Sequence, residues 1–251
     1  MICGYMLHIS KTTQTEKVIK MYQRDVSLIK DFVAVGGPDA LVDGVVRFVL
    51  TTIQAGLSTC TGQAQKIIDD GLEANCLWGK KSNGLAYARD NKDFLYGRLY
   101  KIAETHGYAS TEGCVAAIEL FITIPNLGLV KAAFVAQCLG FDVACLDSHN
   151  LARFGIPVSQ VKDNPKAKIE TRRKKWASYV QLCRDLTKTP KTKNLMLCLD
   201  CETATEYWWN SWCSYVAGNQ ANRKLNTGDI VSYYHVECVT YGFTSDYYSS
   251  Y

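Results

Sequence analysis

Apolar residues recur at three- and four-residue intervals through most of this chain, a period that fits one face of an α-helix and not a β-strand. Val18, Ile19, Tyr22, Val26, Ile29 and Phe32 make one such stripe within residues 15–34, and Gly36-Gly37-Pro38 stops it. Residues 39–55 and 62–73 continue in the same period. Trp78 to Asp90, rich in Gly, Lys, Ser and Asn, reads as a loop, after which Asp93 to His106 returns to helical spacing through Phe94, Leu95, Leu99 and Ile102. Strand-type alternation is short and scattered, with Ile230 to Thr240 its best instance. The expected fold class is all-α.

The middle of the chain is more specific. Thr111-Glu112 begins a helix that ends near Phe121, Ile124-Pro125-Asn126-Leu127-Gly128 reads as a tight turn, and Leu129 to Leu139 forms a second apolar helix closed by Gly140. This is a helical hairpin. Residues 168–187 predict a long basic helix whose apolar side is Trp176, Tyr179, Val180, Leu182 and Leu186, and residues 202–217 predict an aromatic-rich one. No repeat with a period of 20 to 50 residues is visible.

With 251 residues, 47% of them hydrophobic and 21% charged, the chain can bury a sizeable core, and only five prolines leave little material for long linkers. Eleven cysteines cannot all pair, and their density is below that of small disulfide-stapled domains. Cys114, Cys138 and Cys145 sit inside apolar runs and read as small core residues. No basic segment followed by an apolar one opens the sequence, and no apolar stretch is long enough to span a bilayer. The expectation is a soluble, cytoplasmic protein with reduced thiols, in a bacterium or a virus-infected cell.

Cys198-Leu-Asp-Cys201, with Cys183 and Cys213 nearby, raises a metal site, but the intervals of 14, 2 and 11 residues do not match a closely spaced cluster. His235 and Cys238 could complete a zinc site only if the fold brought them close, so no metal and no cofactor are expected. Phosphate-loop, dinucleotide-loop, zinc-protease and nucleophile-elbow motifs are absent from the sequence.

The net charge of +4 is unevenly spread. Between Lys162 and Lys193 there are eleven Lys and Arg against three acids, a local excess of eight that leaves the rest of the chain at −4. A concentrated positive face suits a polyanion such as nucleic acid, and a solvated helix face is the alternative.

The hairpin can be read mechanically. Asn126 is one of the few non-glycine residue types that tolerates a left-handed backbone, and Gly128 lets the chain enter the next helix with its N–H groups exposed, an arrangement that binds phosphate. Ala132 is small enough for the two helices to approach closely. A plain hairpin packed in the core would use the same residues.

Ile124 to Ala132, followed by Asp142-Val-Ala-Cys-Leu-Asp147-Ser-His149 and Arg153, resembles the helix-hairpin-helix and Gly/Pro/Asp-loop signature of the DNA glycosylase superfamily, typified by endonuclease III and the compact 8-oxoguanine glycosylases. The resemblance implies a two-lobed helical glycosylase-like unit over residues 1–251. Its N-terminal lobe is 1–110, the hairpin and aspartate loop 111–156, and the basic and aromatic lobe 157–251. It also implies a DNA partner. Asn126, Leu127, Gly128, Val130 and Lys131 would approach the phosphate backbone, with Arg153, Lys168, Arg172, Arg173 and Lys175 adding charge.

By the same resemblance Asp147 is the catalytic carboxylate that stabilises cationic charge on the sugar and orients water, with His149 beside it. A flipped base would need an apolar pocket, for which Trp208, Trp209 and Trp212 are the aromatic candidates. Bifunctional members carry a nucleophilic lysine two residues after the hairpin glycine, where this chain has Val130, with Lys131 one position later. One residue is about 100° of helix rotation, so Lys131 is expected to point elsewhere, and the implied activity is monofunctional N-glycosidic hydrolysis or a related base modification, as in glycosylase-like proteins of bacteriophages. Asp147 would also serve as a plain helix N-cap. The competing expectation is a non-catalytic DNA-binding or virion-associated protein that keeps only the scaffold.

Overall fold

The computed structural model describes residues 27, 29–54, 77 and 79–188. The helices are α1 (residues 29–39), a π-helical stretch Ala40–Val46, α2 (Arg47–Thr51), α3 (Lys80–Asp90) and α4 (Lys92–His106). They continue with α5 (Thr111–Phe121), α6 (Leu129–Cys138), α7 (Ser148–Phe154), a 3-10 turn (Val158–Gln160) and α8 (Ile169–Lys188). There is no strand among the described residues, which agrees with the all-α expectation. No helix among them is long and apolar enough to cross a membrane.

The stop expected at Gly36-Gly37-Pro38 is overturned: α1 runs through these residues to 39 and on through the π-helical stretch into α2, with Gly37 alone at a positive φ of 63°. That run is buried almost all round. Leu41, Val42, Val45, Val46, Val49 and Leu50 are fully enclosed, so burial rather than a single amphipathic face sets its sequence.

The expected loop over Trp78 to Asp90 is overturned, because Lys80–Asp90 is helical. Its own composition favours a loop, but Gly84, Leu85 and Ala88 form a narrow buried stripe on a helix that packs against the π-helical stretch and α2, with Gly84 under the hairpin turn. Tertiary packing outweighs weak propensity in so short a helix. Arg89 then reaches across to Asp43 at 2.7 Å, and Asp43 also holds the fully buried Arg47 at 2.7 Å.

In α4 the buried stripe is Leu95, Leu99 and Ile102, and Gly107 ends the helix at φ 73°. The Ser110 hydroxyl caps α5 by accepting from the Gly113 N–H at 2.8 Å. Helix α5 is the hub, packed against α4, α6 and α8. Both α6 and α7 end in the same way, with a left-handed glycine (Gly140 at φ 88°, Gly155 at φ 64°). In each, the following residue donates back into the last turn, Phe141 to Ala136 and Ile156 to Leu151.

Trp176, Tyr179, Val180 and Cys183 are fully buried at the i, i+3, i+4, i+7 positions of α8. Buried residues from α1 through α8 form one continuous core. Cys114, Cys138, Cys145 and Cys183 lie within it as thiols. Burial pushes the Cys114 thiol up to about 12.

Candidate nucleic-acid interface and aspartate loop

The turn between α5 and α6 is built as its residue types dictate. The Ile124 N–H donates to the Phe121 carbonyl at 3.1 Å, the Leu127 N–H to the Ile124 carbonyl at 3.1 Å, and Asn126 takes the left-handed conformation at φ 72°. The Asn126 side-chain amide donates to the Lys80 carbonyl, tying the turn to the start of α3. Gly84 lies under the turn, where a Cβ would collide with the Pro125 carbonyl oxygen. Ala132 is fully buried at the junction of the hairpin helices.

Gly128 caps α6 in an extended conformation (φ −78°, ψ 178°), and nothing lies within 4 Å of where its Cβ would stand. Its value is therefore open space in front of the backbone. The Leu127 N–H, expected among the outward-facing donors, is used inside the turn. Those of Gly128, Leu129 and Val130 find no acceptor among the described residues, as the first turn of a helix requires. They border a hollow of about 350 Å³, whose far wall carries Asp163 and Arg172.

Lysines gather around this end of the hairpin. Lys80 opens α3 and is exposed. Lys81 Nζ donates to the Thr51 carbonyl at 3.2 Å, and Lys131 Nζ donates to Thr52 Oγ1 at 3.0 Å, so both converge on the carbonyl end of α2. Lys131 also reaches Cys145 Sγ at 4.0 Å and lies 5.3 Å from the centre of the Phe134 ring. Despite its one-residue offset, its side chain runs toward the loop that carries Asp147.

That loop, residues 141–147, belongs to no helix. Buried side chains hold its backbone. Gln137 Oε1 accepts from the Cys145 N–H at 2.9 Å, and Asn150 Nδ2 donates to the Cys145 carbonyl at 2.8 Å. The Tyr179 hydroxyl donates to the Ala144 carbonyl at 2.6 Å while accepting from the Leu146 N–H at 3.0 Å. Burial raises the Tyr179 phenol well above its usual range, so it stays neutral and can do both. Helical spacing marks Tyr179 only as a core residue and singles out neither Gln137 nor Asn150; a polar side chain buried beside a non-helical segment is their only signature.

Asp147 is half-buried and caps α7, with Oδ1 accepting the Asn150 N–H at 3.0 Å. Lys131 and Asp147 both act on the Cys145 thiol. Burial raises that thiol to about 12, Lys131 opposes the rise, and Asp147 adds to it through its charge while opposing it through its backbone N–H. The hairpin helix and the aspartate loop therefore meet at Cys145.

The basic residues divide into two groups. Arg172 pairs with Asp163 at 2.6 Å and lies 4.8 Å over the Trp176 ring, while Arg173 makes a bidentate pair with Glu119 at 2.7 Å. Arg184 pairs with Asp142 at 2.9 Å, and Lys175 donates to the Ser159 carbonyl at 3.1 Å. These four are struts that hold α8 to the rest of the molecule. Lys162, Lys166, Lys168 and Lys174 are exposed, and their side chains make no ion pair or hydrogen bond among the described residues.

His149 and Arg153 belong to α7, but their side chains lie outside the described residues, as do Trp208, Trp209 and Trp212. Cys198, Cys201, Cys213, His235, Cys238, the 202–217 helix and the 230–240 strand also lie outside them. No group of three metal-ligating side chains occurs among the described residues. No protein-family model, curated protein or solved structure matches this chain.

Proposed function

We propose that this protein binds DNA through the α5–α6 hairpin and acts on a base turned out of the helix, as a glycosylase-like enzyme with Asp147 as its catalytic carboxylate. The observation that carries this reading is the meeting of two elements at Cys145. Lys131, from the first turn of the hairpin's second helix, comes within 4.0 Å of Cys145 Sγ, two residues before Asp147. A phosphate held at the hairpin would therefore set the adjoining nucleotide close to the aspartate.

The unused N–H groups of Gly128 to Val130 lie at the positive end of α6, and Lys80 and Lys131 add charge beside them. Lys162, Lys166, Lys168 and Lys174 supply further sequence-independent attraction. Arg172, Arg173 and Lys175 contribute mainly by holding α8 in place.

In the monofunctional reaction the N-glycosidic bond breaks, the base leaves with the bonding electrons and gains a proton, and water adds to the sugar carbon. Asp147 stabilises the cationic sugar and orients that water. A close variant keeps the same site and modifies the extruded base without cutting the bond. The capping bond from the Asn150 N–H to Asp147 favours a second reading, in which the carboxylate only starts α7 and the protein is a scaffold or virion-associated DNA binder.

Asp147→Asn separates the two readings, because an amide oxygen still caps the helix. An enzyme loses base release or base modification and keeps its DNA affinity, whereas a binder is unchanged. A wild-type protein with neither salt-sensitive DNA binding nor action on any duplex carrying a modified base would refute the proposal.

A further inference from the structure

We infer that Tyr179, together with Gln137 and Asn150, forms a backbone clamp whose role is to position Asp147, so that these three are positioning residues of the site. The inference rests on the reading of Asp147 proposed above and extends it to residues on α6, α7 and α8.

Four hydrogen bonds from three nearly inaccessible side chains converge on residues 144–146: Gln137 and Asn150 on Cys145, and Tyr179 on Ala144 and Leu146. A non-helical segment inside a helical protein has neither a helical nor a ladder partner, and each of its buried N–H and C=O groups must be satisfied individually. An apolar core could have avoided that cost by continuing α6 or starting α7 earlier. Instead, the segment is kept non-helical, and its last residue, Asp147, enters α7 with its carboxylate fixed by the Asn150 N–H at 3.0 Å.

Asn150 does two jobs in this arrangement. Its amide side chain grips Cys145 while its backbone N–H grips Asp147, so the approach to the aspartate and the aspartate itself are held by one residue. Tyr179 links the same segment to α8, the helix that Arg172, Arg173 and Lys175 brace. The geometry of Asp147 is thereby tied to the rigid core rather than to a surface loop. Displacement of a catalytic group by a fraction of an ångström costs turnover before it costs binding.

The test uses the full-length chain with Tyr179→Phe, which removes one oxygen, and Gln137→Met, which removes one acceptor. Amide hydrogen exchange is read first. The Cys145 and Leu146 amides of the wild type should be protected like those of α6 although they belong to no helix, and Tyr179→Phe should deprotect Leu146 and Asn150 selectively. Turnover and KM are then read on duplexes carrying single modified bases, with DNA affinity measured alongside. Turnover should fall by about 10- to 100-fold in both variants while KM and affinity change less than about two-fold. Unprotected wild-type amides, unchanged protection in Tyr179→Phe, or loosened amides with full turnover would each overturn the inference. An inactive wild type would instead fail the functional reading beneath it.

Discussion

Gly84 shows how one missing side chain can join two elements. A Cβ there would run into the Pro125 carbonyl oxygen and stand 3.3 Å from a Leu50 methyl, so the turn would have to shift and the Leu50 side chain to give slightly. Gly84→Ala should lower unfolding free energy by about 1–3 kcal/mol in urea melts, the usual cost of overpacking. Because the displaced group belongs to the hairpin turn, the DNA affinity proposed for that turn should fall as well. A neutral effect on stability would mean that the turn yields freely.

The buried thiols set a pH limit on stability. Burial raises Cys114 and Cys145 to about 12 from an ordinary 9.0, so the native state keeps protons that the unfolded chain begins to release near pH 9. Their stabilising contribution is complete below that point and is lost as pH rises toward 12. Urea midpoints should therefore fall between about pH 8 and about pH 10.5, and less steeply in Cys145→Ala. Parallel pH profiles for the two proteins would contradict this account.

Among the elements, those with a strong period and a clear stop were legible in the sequence. The α5–α6 hairpin was readable because Asn126, Gly128 and Gly140 fix its ends chemically, and α8 because Trp176, Tyr179 and Val180 repeat at helical spacing. Helix α3 was not, since its helicity comes from packing on the π-helical stretch and α2 and its own residues favour a loop. The hairpin's donors were readable in outline, but the internal use of the Leu127 N–H follows from turn geometry that spacing does not encode.

The charge run of α8 carries the same lesson, because a tally of Lys and Arg cannot distinguish a strut from a ligand. Glu119 and Asp163, the partners of Arg173 and Arg172, lie far away or in an adjoining loop. Replacing Lys166, Lys168 or Lys174 by Ala should weaken duplex binding and flatten its salt dependence, by roughly 0.9 in log–log slope for each phosphate no longer neutralised. Arg173→Gln should change that slope less. Equal slopes for all four variants would remove the distinction between struts and exposed lysines.

Across the whole molecule, the aspartate loop lies where the hairpin, α7 and α8 meet over one continuous core. Lys131 reaches from α6 to Cys145, two residues before Asp147 in the same loop, and that loop is held from inside. On the proposed function, this arrangement brings together a hairpin that holds phosphate and a carboxylate that faces a sugar cation. The most direct test compares wild type with Asp147→Asn on duplexes carrying single modified bases, measuring base release or modification together with affinity at two salt concentrations. The account predicts salt-sensitive binding in both proteins and turnover in the wild type alone. Turnover undiminished in Asp147→Asn, or a wild type that neither binds nor acts, would contradict it.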